Sequence, residues 1–190
     1  MTCRQFEQID KTLGMMRQLE RSPLGTIAIL GNHDYAIGWS RTKVADRLAR
    51  GLGELGIRVL RNKLIVMDGL KVVGLDDLWS PRFGPQMIMP MVDHDQPSPV
   101  LCHNPDAADQ PIWAGYRGWI LCGHTHGGQC EPPLFRPSRL NMLNTRYAAG
   151  EIDLSDRRWM YINRGLGYLH RIRFNVRPEI TAFTLSRAVV

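Results

Sequence analysis

The chain has 190 residues, 44% hydrophobic and 22% charged, which suits one domain with its own core and excludes a disordered or low-complexity protein. No apolar run of about 18 residues occurs, and the opening MTCRQFEQIDKTLGMM carries charges where a signal peptide needs an apolar stretch. The net charge of +6 favours anionic partners such as phosphates, nucleic acid or acidic lipid headgroups, without choosing among them. With no export signal, the four cysteines are expected as thiols or metal ligands in a reducing cytosol.

In chain order, Phe6, Ile9, Leu13, Met16 and Leu19 fall three or four apart and predict a first helix, ended by Ser22–Gly25. TIAIL, Thr26 to Leu30, reads as a short buried strand that delivers directly into GNHD. Ser40 is the expected N-cap of a second helix, with Val44, Leu48, Leu52 and Leu55 inward and Gly56 as its stop. IRVL, LIVM and KVVGL then read as strands, the last two joined by Asp68-Gly69, a strong two-residue hairpin signal. SPVLCHNPD and GWILCGHTHGGQ each repeat the earlier design, a short apolar strand ending in polar residues. RWMYINRGLG and EITAFTL are two further strand-like stretches. No repeat or linker divides the chain, so a single α/β or α+β domain over residues 1–190 is expected.

Three clusters therefore lie at strand C-terminal ends: Gly31-Asn32-His33-Asp34, His103-Asn104-Pro105-Asp106 and Gly123-His124-Thr125-His126. In open α/β sheets that edge is where sites are built. Imidazole and carboxamide oxygen suit Zn, Mn or Fe, and the neighbouring glycines let backbone approach closely. One other use of the last cluster is a structural zinc site completed by Cys122 and Cys130. Those cysteines are the weaker reading, because Cys122 ends an apolar strand, where a small buried thiol is expected.

Taken together, GNHD, LCHNPD and GHTH resemble three motifs of the calcineurin-like metallophosphoesterases. HNPD, GHTHGGQ and YINRGLG further resemble a bacterial branch with membrane-associated phosphodiesterases and UDP-2,3-diacylglucosamine pyrophosphatase-like enzymes. The resemblance covers nearly all of the chain from Thr26 onward. It implies a two-sheet β-sandwich flanked by helices (αββα) and two divalent metal ions, Mn, Zn, Fe or Mg, about 3.5–4 Å apart. It further implies that Asn32, His103 and His124 ligate one ion and His126 the other. His33 would face the scissile phosphate and serve the leaving group, with Asp34 orienting it.

The family also uses an Asp-x-His and a Gly-Asp before GNHD. Here no histidine precedes Asn32, and Asp10 is the only earlier aspartate. The expectation is a start placed too late or a truncated chain, lacking an N-terminal strand and helix; the alternative is a degenerate member with one weak metal site. On either account this chain is expected to hold as few as one ion.

Other residues carry smaller expectations. Arg164, on the glycine-rich NRGLG turn, is a candidate phosphate contact, and Asp76-Asp77 either shape a pocket or form a loop turn with a packing Trp79. PQMIMPMV reads as a core segment, with an apolar lip over the site or a membrane-facing loop as the alternatives. His94 and His170 match no motif and read as surface or loop residues. The expected activity is metal-dependent hydrolysis of a phosphoester or pyrophosphate in a small or lipid-linked substrate, in the cytoplasm, with peripheral contact to an anionic membrane surface. A catalytically inactive metal- or phosphate-binding fragment is the alternative. A nuclease is less expected, because no stripe of aromatics beside lysines is present.

Overall fold

The computed structural model describes residues 6–93, 96, 98–130, 143–167 and 172–185. His94 and His170 lie outside the described residues.

The first helical pattern becomes α1, Glu7–Met16, with Ile9 and Thr12 buried; Leu19 lies beyond its end and is exposed. The second becomes α2, Thr42–Glu54, whose buried Val44, Ala45, Leu48, Gly51 and Leu52 form one face at helical spacing. Ser40 is not its cap. Arg41 holds that position, no side chain caps the helix, and Ser40 contributes only a backbone carbonyl that accepts from the Thr42 N–H. The two helices pack together where Leu13 lies over Gly51, a site with no room for a side chain.

Two sheets follow. The smaller pairs β1, Thr26–Ile29, parallel with β2, Ile57–Leu60, and carries the helices. Its core joins Leu30, Tyr35, Val44, Leu48 and Ile57. The larger sheet contains β3 (Lys63–Met67), β4 (Leu70–Gly74), β5 (Val100–Leu101), β6 (Gly118–Cys122), β7 (Gly150–Asp153) and β8 (Arg158–Ile162). Its order is β3-β4-β5-β6-β8-β7. The expected hairpin joins β3 to β4 in antiparallel register, Met67 opposite Leu70, with Asp68 and Gly69 both at positive φ as its turn requires. β4, β5, β6 and β8 run parallel, so their C-terminal ends emerge along one edge. On one face of this sheet Val73, Val100, Ile120 and Met160 lie fully buried in a single cluster.

Three details depart from the sequence reading. β7 was not foreseen: it alternates half-buried with exposed residues and presents Glu151 and Asp153 to water. EITAFTL is no strand. It runs as a strap held by side chains, Tyr161 donating to Glu179 and Asn163 to Thr181, rather than by a backbone ladder. The methionine-rich stretch divides, with Met89 fully buried in the core and Met87 and Met91 exposed. No helix among the described residues is long and apolar enough to cross a membrane.

Candidate functional site

The parallel strands act as delivery arms. β1 leads through Leu30 to Gly31 and Asn32, β5 through Cys102 to His103, and β6 through Gly123 to His124. The His103 and His124 rings meet edge to face, with centroids 5.2 Å apart and planes at 82°. Gly31 comes so close to His103 that a Cβ there would lie 2.7 Å from its Nε2. Any side chain at position 31 therefore displaces the imidazole. Burial, then the neighbouring His124, His126 and His33, push His103 well below the ordinary histidine range. It is thus a neutral ring, the form that ligates a metal.

Both histidines of GHTH adopt left-handed backbone, His124 at φ 71° and His126 at φ 54°. Non-glycine residues hold that conformation at a cost, and such residues concentrate at functional sites. Thr125 between them is structural: its hydroxyl donates to the Ala148 carbonyl at 2.6 Å and accepts from the Gly127 N–H at 3.0 Å. Asn104 and Asp106 of HNPD are structural too. Asn104 accepts from the Asp106 N–H, while the Asp106 carboxylate accepts from the backbone of Leu143 and Asn144.

Asn32 is buried, and its side-chain Oδ1 has no hydrogen-bond donor. Buried polar atoms are rarely left so, and an unmade bond costs about 1–3 kcal/mol. Asp34 closes its own turn, its Oδ2 accepting the Gly31 N–H at 2.9 Å. His33 lies next in that turn and is half-buried.

The sequence reading gave little weight to GLDDLW, yet it reaches the same edge from β4. Trp79 stacks on Trp39 at 4.4 Å and meets the His124 ring edge-on at 4.7 Å. Asp76 and Asp77 are both fully buried. The available signal was the design itself: KVVGL followed by two carboxylates is a fourth strand ending in polar residues.

His126 and Arg164 sit on a differently built flank. His126 Nδ1 faces the Gly167 carbonyl at 3.3 Å, and burial lowers its pKa. The Arg164 stem packs over Gly127, and its Nε pairs with Glu179 at 2.6 Å. Arg173 clamps this flank, donating to the carbonyls of Arg164, Gly165, Gly167 and His126.

The comparisons with known proteins agree with this layout. The chain is 35% identical over 168 residues to phosphodiesterase YaeI of Escherichia coli, covering 84% of this chain and 58% of that protein. It is 31% identical over 191 residues to metallophosphoesterase YkuE of Bacillus subtilis, covering 95% of this chain and 63% of the relative. The chain belongs to the calcineurin-like metallophosphoesterase superfamily. It is also 29% identical over 210 residues to the UDP-2,3-diacylglucosamine pyrophosphatase LpxG of Chlamydia trachomatis, covering 84% of this chain and 63% of LpxG. The chain thus spans about three fifths of the length of these relatives. No family model matches it, and no solved structure does.

Membership of the metallophosphoesterase superfamily implies divalent metal, and the residues fit one ion better than two. The orphaned amide oxygen of Asn32 and the neutral imidazole of His103, with His124 against it, are the donor types such an ion takes. Among the described residues, no three His, Cys, Asp or Glu side chains gather closely enough to hold an ion by themselves. The structural-zinc alternative fares poorly in this superfamily member. Cys122 is part of the hydrophobic core, where burial drives its thiol pKa far up, and Cys130 turns its thiol toward the Ile172 carbonyl.

Proposed function

We propose that the chain hydrolyses a phosphoester or pyrophosphate with divalent metal, the substrate being a small or lipid-linked phosphate compound. The observation that carries this is the convergence of the β1, β5 and β6 ends: His103 and His124 in ring contact, with Gly31 against His103 and Asn32 bearing an unpartnered oxygen. Asn32, His103 and His124 would hold one ion, and His126 would belong to a second. Bound there, divalent metal supplies Lewis-acid polarisation of a phosphoryl oxygen.

The chain's own residues do the rest. His103, neutral and walled in, offers a lone pair rather than a charge. Trp79 and Trp39 form an apolar wall beside His124 that limits water on that side. His33, on the turn fixed by Asp34, supplies the proton to the leaving oxygen. Arg164 remains a candidate phosphate contact, although its Nε is engaged by Glu179 and only its outer guanidinium edge can serve. LpxG is named for a UDP-diacylglucosamine pyrophosphate bond, which supports including lipid-linked pyrophosphates among the substrates to test.

Hydrolysis of bis(p-nitrophenyl) phosphate by the protein loaded with Mn²⁺ tests this. Turnover abolished by chelation, restored by Mn²⁺ and lost by at least about 10³-fold in His103→Ala is expected. Metal-loaded wild type with no turnover on phosphodiesters and pyrophosphates alike would overturn it. Elemental analysis then separates a two-ion centre, near two metals per chain, from a single ion. The absence of a three-residue His, Cys, Asp or Glu cluster among the described residues favours a second reading, a binding domain without turnover.

A further inference from the structure

The two adjacent acids after β4 look alike in sequence and are built into the structure differently. Asp76 is fully satisfied. Its Oδ1 accepts from the Tyr35 hydroxyl and the Asp77 N–H, and its Oδ2 accepts from Arg61 Nε at 2.9 Å. Arg61 in turn pairs with Asp46 at 2.6 Å, so the charge of Asp76 is answered by a cation. An acid serving only to hold the fold has no further need.

Asp77 has no such cation. Its Oδ1 accepts the Trp79 N–H at 3.0 Å, while its Oδ2 is buried with no hydrogen-bond partner. Burial drives its pKa up to about 7, opposed by the backbone N–H groups of Trp79 and Asn32 and reinforced by Asp76 and Asp34. Thus one carboxylate reaches two different elements: the turn after β1 that carries Asn32, and the turn after β4 that carries Trp79. Those turns belong to different sheets, and β1 and β4 share no hydrogen-bonded edge. What they share is the site. Asn32 bears the orphaned oxygen, and Trp79 leans on His124. Leaving a carboxylate oxygen buried and unanswered costs several kcal/mol less the partial relief of its neighbours, so a cheaper side chain would occupy position 77 if packing were all it did.

We propose that Asp77 is a positioning residue, which fastens the Asn32 turn to the Trp79 turn and thereby sets Asn32 and His124 relative to each other before any ligand arrives. It acts through Asn32 and Trp79 rather than on substrate. Outer partners of this kind change metal affinity by about 10–100-fold when removed. The part concerning metal rests on the function proposed above; the part concerning the two turns does not.

The test therefore has two arms, on the full chain, with Asp77→Asn and Asp77→Leu. In the metal-free protein, amide resonances of ¹⁵N-labelled samples are followed. The Asn32 and Trp79 backbone N–H signals are expected to shift and exchange faster in Asp77→Leu and by less in Asp77→Asn, which keeps one acceptor oxygen. Signals from Trp159, on β8, are expected to stay in place. In the second arm Co²⁺ is titrated and its visible absorption read; affinity is expected to fall about 10–100-fold in Asp77→Leu and less in Asp77→Asn. Unmoved Asn32 and Trp79 amides in a folded Asp77→Leu, or in Asp77→Asn should the leucine variant not fold, would overturn the proposal. So would Co²⁺ affinity unchanged in a variant whose amides have moved. Wild type that takes up no Co²⁺ overturns the proposed function instead, and the first arm still decides the role of Asp77.

Discussion

The two flanks of the site use the same side chain and secure it by different means. His124 stands at the end of a parallel strand, against the ring of His103 and the edge of Trp79, so its place follows from the sheet. His126, two residues on, is beyond the sheet and is held by carbonyls: its own Nδ1 meets Gly167, and Arg173 ties that carbonyl to its neighbours. A ligand placed by a strand depends on register. A ligand placed by a strap depends on a few exposed polar bonds, the kind that open most easily. The two histidines should therefore fail under different insults.

The largest effect is expected on the sheet flank. Gly31→Ala puts a methyl carbon 2.7 Å from the His103 ring, which has to move. Hydrolysis is expected to fall about 10²-fold, the scale of an ångström's misplacement in a catalytic group, with circular dichroism unchanged. Activity equal to wild type would remove the claim that His103 is set by that contact. On the strap flank a smaller loss is expected. Arg173→Lys replaces a fork reaching several carbonyls with a single ammonium, and turnover should drop about 10-fold while Co²⁺ affinity at the His103 side stays. Equal loss on both flanks would dissolve the distinction.

Acid should separate them next. Burial alone would raise the Glu179 pKa, but hydrogen bonds from Tyr161, Arg164 and Thr181 prevail and lower it from 4.5 to about 2. A depressed carboxylate contributes stability that is full above its unfolded value and is lost as pH falls through the folded one. Between about pH 4.5 and 2 the strap is therefore expected to loosen first. Hydrogen exchange would show this as deprotection at Arg164 and Gly165 before Ile120 and Met160. The smallest effect is reserved for Cys130→Ser, where metal content by elemental analysis should equal wild type; loss of an ion would restore the zinc-knuckle reading.

The legible half of this molecule was the half made by strands. TIAIL, SPVL and GWILC each announce a short buried strand, and parallel pairing obliges whatever follows to gather along one edge. That is why GNHD, His103 and GHTH could be grouped from sequence alone. Asp77 could be seen but not placed, because its partners Asn32 and Trp79 lie on turns of two sheets and no period links them. Arg173 gave no signal either. A clamp on backbone carbonyls leaves no trace in the residues it grips, since every residue has a carbonyl. Conversely, Asn104, Asp106 and Thr125 look like ligands by type yet cap and anchor turns, which short polar side chains do as readily.

The two inner cysteines have a practical consequence. Cys102 and Cys122 lie on adjacent strands directly beneath the histidines, and burial pushes both thiols well above the usual range. Thiol reagents attack the thiolate, so neither residue can react until the β5 and β6 ends come apart. Cys130, only half-buried, can answer at once. The rate at which the slow pair becomes labelled thus times the opening of the floor under His103 and His124, in any variant and with no added probe.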